Sequence, residues 1–359
     1  VFASTRPLRV LLVHPGASWS THDVFEGLYY GLQQHGVDVV PYRLDTRIDL
    51  TNKILHAFWR RKAKTDPTIP KPNNADVQYH AGADALTMAL RAQVDVVLVV
   101  SAMYLHPDVI VLMKRAGLRV TVLFTESPYD HDKELRVASL VDGVWTHERA
   151  SVEDLRRVNA RVGYLPHAWH PLTHAVVAPE AIDPAVPAHD VVFVGSGFPE
   201  RVALLNAIDW TGINLGLYGI WKRRDLAAPV RAALHNEITG NARTADLYRR
   251  ARIGLNLYRT LPPGRRADSL SPRAYELAAC GVFHLSEARA EIGEVFGDLV
   301  PTFTTAAEAS PLIRTWLAAD DDRTRIARAL PACVAEASWV TRAATVLRDL
   351  ESLLKTVAA

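Results

Sequence analysis

Short runs that are apolar on both faces alternate with stretches of helical periodicity along nearly the whole chain. Leu8–Val13, Val37–Val40, Val94–Val100 and Leu118–Phe124 read as strands, VDVVLVV at 94–100 most clearly. Unbroken apolar runs of this length mark strands covered on both sides, as in parallel sheets. Between them the pattern predicts helices over Thr21–His35, closed by Gly36, over Ala81–Gln93, and over Pro107–Ala116, followed by Gly117. A helix over Leu135–Leu140, a strand at Gly143–Thr146, a helix over Ser151–Val158 with Ser151 as N-cap, and a strand at Val162–Leu165 complete the first series. Residues 166–190 then break the rhythm with five prolines and little periodicity. A second series begins at Val191–Val194. It runs through Arg201–Asp209 (helix), Asn214–Tyr218 (strand), Ala242–Ala251 (helix) and Ile253–Leu257 (strand), with late helices expected at 305–318, 322–336 and 339–357. The expected class is α/β, with two Rossmann-like doubly wound domains. The predicted boundaries are 1–170 for the first, 171–190 for a hinge, 191–338 for the second, and 339–359 for a terminal helix crossing back to the first.

Bulk properties sharpen this only a little. A length of 359 residues exceeds what one core ordinarily holds. The 49% hydrophobic and 22% charged shares are those of a soluble globular protein. No apolar run reaches the roughly 18–20 residues of a membrane span. The start, VFASTRPLRVLLV, does not follow the plan of a secretion signal. Cys280 and Cys333 are the only cysteines, too few for a disulfide framework or a metal spacing, so a cytoplasmic protein is expected. His167, His170 and His174 have no carboxylate or cysteine at zinc-site spacing and read as packed or exposed. The net charge of +2 is too mild to announce nucleic-acid binding. Locally, Lys53–Lys71 holds six Lys/Arg, two aromatics and one Asp. It reads as a solvated helix followed by a Pro-rich loop; the alternative is a basic insert for DNA or another polyanion.

The chemistry concentrates where the second series turns from strand to helix. After the apolar run Ile253–Tyr258 comes a loop rich in Gly, Pro and Arg, and Ser271-Pro272 then opens a helix that Gly281 closes. Such a helix start aims backbone N–H groups and a positive dipole end at an anion. Arg273 and Glu276 lie three residues apart, on one helix face. A cation for a diphosphate beside a carboxylate for ribose hydroxyls suits a nucleotide sugar. Gly195-Ser196-Gly197 follows another apolar strand and precedes a helix with Arg201 in its first turn. Small residues there admit a ligand close to the backbone, although a tight turn needs glycine for backbone reasons alone. Glu200 occupies the third glycine position of G-x-G-x-x-G, which argues against an ordinary NAD site. Tyr218-Gly219 ends a third strand, followed by Trp221 and Lys222, with Lys222 either near phosphate or part of an exposed basic turn.

These residues resemble the GT-B glycosyltransferases of the group 1 family, and most of all its CgeB-like, spore-maturation-protein-like branch. The resemblance is carried by Phe193-Val194-Gly195 with Arg201; Leu217-Tyr218-Gly219 with Trp221; Leu255-Asn256 with Arg259; Arg273, Glu276, Ala279, Cys280 and Gly281; and Glu294-Val295-Phe296. It covers roughly residues 190–350. It implies two Rossmann-like domains facing a cleft, with the second binding a nucleoside-diphosphate sugar, a UDP-sugar first among them, as co-substrate without cofactor or metal. Donor contacts would come from Gly195, Ser196, Gly197, Arg201, Tyr218, Gly219, Lys222, Ser271, Arg273 and Glu276. Glu276 stands where the family's second glutamate binds the ribose; the position of the first is taken by Asp268. The first domain would hold the acceptor through Gly16, Ser18 and Trp19, with Glu126 or Asp130 as catalytic base and His22 as a further candidate. A glycan, a protein, a lipid-linked sugar or a modified base in phage DNA would each serve as acceptor. The rival readings are a non-catalytic sugar-nucleotide-binding module and a sugar-nucleotide epimerase on the same scaffold.

Overall fold

Both series of apolar strands form parallel sheets in the computed structural model, which describes residues 6–16 and 19–358, with the backbone alone for 19–20 and 356–358. The chain divides into two units, residues 1–166 with 339–359 and residues 167–338. The first sheet consists of β1 (Arg9–Val13), β2 (Asp38–Tyr42), β3 (Val96–Val100), β4 (Arg119–Phe124), β5 (Gly143–Thr146) and β6 (Val162–Tyr164), in the order β2-β1-β3-β4-β5-β6. The second consists of β7 (His189–Val194), β8 (Leu215–Tyr218), β9 (Ala251–Asn256), β10 (His284–Glu287) and β11 (Thr302–Phe303), in the order β11-β10-β9-β7-β8. In each sheet the first strand is flanked by the second on one side and the third on the other. That reversal opens a crevice at the carboxyl ends of β1/β3 and of β7/β9, where ligands settle in open α/β sheets.

Helices α1 (Trp19–Gln34), α2 (Leu44–Lys62), α3 (Asn74–Ala92), α4 (Pro107–Arg115), α5 (His131–Ala138) and α6 (Val152–Arg156) belong to the first unit. The second carries α7 (Pro171–His174), α8 (Pro199–Ala207), α9 (Ala228–Ala232), α10 (Asn241–Arg249), α11 (Pro272–Ala279), α12 (Ala290–Phe296), α13 (Ala306–Ala318) and α14 (Asp320–Cys333). The last helix, α15 (Trp339–Ala358), falls in the first unit. Each sheet is covered on both faces, so Val96–Val100 and Val10–Val13 are buried without alternation. No helix among the described residues is long and apolar enough to cross a membrane.

Several local expectations change. The helix expected from Ala81 starts at Asn74, because Asn73 and Asp76 form a reciprocal capping box. Ser151 precedes α6 but makes no side-chain cap; Glu148 caps the preceding turn, accepting from Ala150 N at 2.9 Å. The proline-rich stretch 171–190 lies in the second unit. There Arg249 donates to Thr173 O and Ala175 O at 2.5 and 2.7 Å, and Val186 is buried against Tyr218, Leu247 and Tyr248.

The terminal helix packs on α1 through small residues. The Trp339 ring lies over Gly27, and the Trp339 carbonyl over Gly31, where an added Cβ would come within 2.4 Å of that oxygen. Trp145 Nε1 also donates to Asp349 at 2.8 Å. Ala is ordinarily the better helix former, by about 1 kcal/mol over Gly. Here the clash with backbone dominates, and Gly31→Ala is expected to destabilise the protein by about 1–3 kcal/mol, read as a lowered denaturation midpoint.

Candidate active site

The crevice at β7/β9 is built around a buried amide. Asn256, at the end of β9, is fully buried. Its Nδ2 donates to Ser286 Oγ and Tyr258 Oη at 2.9 and 3.0 Å, and its Oδ1 accepts from Ser271 Oγ at 2.6 Å. One side chain thus ties two strand ends to the start of α11. Strand-end carbonyls here have no further strand to bond, and two arginines take them up. Arg273 donates through Nε and Nη2 to Val194 O at 3.0 and 2.8 Å, and through Nη1 to Leu257 O at 3.3 Å, its guanidinium stacked over Phe193. Arg201 donates to Ser196 O and Leu257 O at 3.1 and 3.0 Å. Their charges lie at the strand-end edge where an anion would bind, and they also hold that edge together. Glu276 sits one turn after Arg273 on α11, half-buried and close enough to Tyr248 to raise its pKa, after burial.

In the Gly-Ser-Gly turn both glycine amides bond within the protein: Gly195 N donates to Tyr218 O at 3.1 Å and Gly197 N to Ile220 O at 3.0 Å. The glycines are required by crowding. A Cβ on Gly197 would lie 2.6 Å from the Trp221 ring, and one on Gly219 (φ +105°) would lie 2.1 Å from Gly195 O. Ser196 remains exposed at the tip. Tyr218, expected to contact the donor, buries its ring; its hydroxyl pairs with His189 Nε2 at 2.9 Å and His235 stacks on its face at 4.3 Å. It shapes the turn from behind. Lys222 is exposed on the turn after β8. Asp268 is half-buried and accepts from Arg266 at 2.6 Å. Cys280 is buried and its thiol pushed up to about 12 by that burial, so it is no nucleophile.

At the β1/β3 edge of the first unit, Gly16 faces Tyr104, while Ser18 and the Trp19 side chain lie outside the described residues. His14, the first residue after β1, is buried, and burial lowers its pKa to about 4. Gly16 N donates to His14 Nδ1 at 3.2 Å, so the neutral ring carries its proton on Nε2 and gives it to His22 Nδ1 at 2.8 Å. His22 consequently holds its own proton on Nε2. In that tautomer Nε2 offers a donor, with Glu26 Oε1 3.6 Å away.

The second edge site follows β4. Glu126 and Asp130 are half-buried and line a small cleft with Ser101, Met103 and Glu134. Glu134 is the deepest of the three carboxyls, 4% exposed; one oxygen accepts from Ser127 Oγ at 2.6 Å, and the other, Oε1, has no hydrogen-bond partner among the described residues. Burial, with the charges of Glu126 and Asp130, raises its pKa to about 8 against the Ser127 hydrogen bond. Sequence reading missed it, although Glu126, Asp130 and Glu134 recur at intervals of four.

Residues 200–348 match a protein-family model described as glycosyl transferase-like, a span that contains α11, Asn256 and Arg201. No curated protein matches the chain. Among solved structures it is similar to sucrose-phosphate synthase from Thermosynechococcus elongatus, at 14% identity and TM-score 0.64, covering 97% of this chain and 100% of that one. It is similar to AviGT4, a glycosyltransferase involved in avilamycin A biosynthesis, at 19% identity and TM-score 0.60, covering 98% and 99%. Anabaena HepE, solved with UDP-glucose, aligns at 11% identity and TM-score 0.64, covering 96% and 100%. What the chain shares with them is the fold, the GT-B architecture of two Rossmann-like units.

Arg273→Lys should lower the melting temperature, because an ammonium lacks the planar fork that here spans two strand-end carbonyls. Unchanged melting would mean that these bonds do not hold the edge together. Glu134, with a folded pKa above its unfolded value, binds more protons folded than unfolded between about pH 4.5 and 8. Its contribution is full at low pH and is lost as pH rises through that window. Glu134→Gln should therefore flatten stability over that range, as followed by urea denaturation at several pH values.

Proposed function

We propose that the chain is a glycosyltransferase that moves a sugar from a nucleoside-diphosphate sugar to an acceptor hydroxyl, without a resident metal. The observation that carries this is the start of α11. Its first turn, with Arg273 and Glu276 on one face, stands at the β7/β9 crevice inside the segment that matches the glycosyl transferase-like family. A diphosphate leaving group develops negative charge as the glycosidic bond breaks. The helix start and the Arg201 and Arg273 guanidiniums supply fixed positive potential there. Ser271 Oγ, committed to Asn256, orients the helix entry. Glu276 accepts from ribose hydroxyls, and Ser196 and Lys222 contact the phosphates from the two facing turns. A uridine nucleotide is the first choice of donor, since a protein of the same fold, HepE, holds UDP-glucose.

The acceptor sits on the first unit, beside Gly16 and the cleft that follows β4. Asp130 or Glu126 takes the proton from the attacking hydroxyl; Glu134, protonated at neutral pH, serves poorly as that base. His22, with its proton on Nε2, donates a hydrogen bond to an anionic or hydroxyl oxygen of either substrate.

The test is a panel of nucleotide sugars followed by thermal shift and by product analysis with and without acceptor. UDP-sugars are expected to raise the melting point. Glu276→Ala should remove most of that rise at unchanged fold, and Asp130→Asn or Glu126→Gln should lower kcat more than donor affinity. Conversion of the donor sugar with no acceptor present would instead mean an epimerase, and binding without turnover a non-catalytic module.

A further inference from the structure

Helix α2 carries an apolar stripe that nothing in its unit covers. Leu50, Ile54 and Phe58 recur every four residues and are 58%, 56% and 63% exposed. Large hydrophobics exposed in a row, at helical spacing, mark an interaction surface, whereas single exposed ones do not. The inner face of the same helix is committed elsewhere, with Leu44 buried and Ile48 packed on the core. Arg47 pairs with Asp84 of α3.

The stripe is set among cations. From Leu50 to Asn73 there are six Lys/Arg against one Asp, a surplus of five, whereas the whole chain carries +2; the remainder is net negative. The arginines at the start of the helix are neutralised, Arg43 by Asp45 and Arg47 by Asp84. Lys53, Arg60, Arg61, Lys62, Lys64 and Lys71 form no ion pair among the described residues and stand exposed. Lys62 and Lys71 lie instead beside the rings of Phe58 and Trp59, at 5.7 and 6.0 Å. The loop after the helix is tied back to it, because Trp59 Nε1 donates to Ile69 O at 3.1 Å. Helix and loop therefore present one surface. It leaves the sheet at the carboxyl end of β2, since Leu44 follows Tyr42 by two residues.

We propose that this face of α2 docks the protein on an anionic lipid surface. A lipid interface satisfies both halves of the pattern: the apolar stripe enters the boundary of the acyl region, and the Lys/Arg side chains extend to negatively charged headgroups. A nucleic-acid backbone would neutralise the cations but leave Leu50 and Ile54 in water. The contact is peripheral and reversible, and it holds whether or not the chain transfers sugars, because it is read without turnover.

The experiment is co-sedimentation of the full chain with sucrose-loaded vesicles of phosphatidylcholine alone and of phosphatidylcholine with phosphatidylglycerol in equal parts, at low and high salt, beside duplex DNA as a competing ligand. Binding to the anionic vesicles is expected to exceed that to neutral ones by about tenfold or more and to weaken with salt. The pairs Ile54→Ser/Phe58→Ser and Arg60→Glu/Arg61→Glu should each cut it by about tenfold or more. Circular dichroism and melting should be unchanged, as all four side chains face solvent. No binding to anionic vesicles at low salt would overturn the proposal. So would vesicle binding indifferent to Ile54→Ser/Phe58→Ser, or capture of duplex DNA in preference to vesicles. None of these outcomes bears on donor binding, so the transferase reading is judged separately.

Discussion

Carbonyl groups at the carboxyl end of a parallel sheet have lone pairs and no further strand to donate to them. An edge of that kind repels anions unless cations intervene. In the second unit, Arg201 and Arg273 meet this constraint by donating to the carbonyls of Val194, Ser196 and Leu257. The same bonds fix the turn after β7, the loop after β9 and the first turn of α11 as one piece, with the buried Asn256 amide as its centre. The two guanidiniums therefore add both positive potential and rigidity at that edge.

The first unit solves its edge differently. Its buried groups are kept neutral: His14 by burial against Phe25, and Glu134 by burial beside two other carboxyls. Hydrogen bonds then set which atoms carry protons. A short chain runs from Glu148 N through the hydroxyls of Thr146 and Ser127 to Glu134, and another from Gly16 N through His14 to His22. One edge handles charge through guanidiniums, the other through proton placement.

Sequence pattern made the strands legible because burial on both faces leaves continuous apolar runs, as at Val94–Val100. It made α11 legible because proline at one end and glycine at the other are tied to backbone geometry. The start of α3 was not, since its first turn is polar and exposed and only the Asn73–Asp76 capping box marks it. Arg273 was legible as a cation at a helix start, but its bonding to Val194 O was not, since that contact spans 79 residues. Glycines at 195 and 197 read as room for a ligand, while the fold uses them as room for Arg273 and Trp221. Tyr218 stood in the right motif, yet which way a strand-end ring points depends on its neighbours His189 and His235. Asn256 was legible as part of a motif at the end of an apolar strand, but its partners Ser286 and Ser271, 30 and 15 residues away, were not.

The return of α15 to the first unit has a temporal consequence. Residues 167–338 form a continuous segment that can reach its native contacts as soon as it leaves the ribosome. The first unit, although translated earlier, cannot cover the glycine face of α1 until Trp339 and the residues after it emerge. Translation order and completion order are thus reversed: the later-made lobe closes first. The earlier one waits, with Gly27 and Gly31 bare, for the first turns of α15.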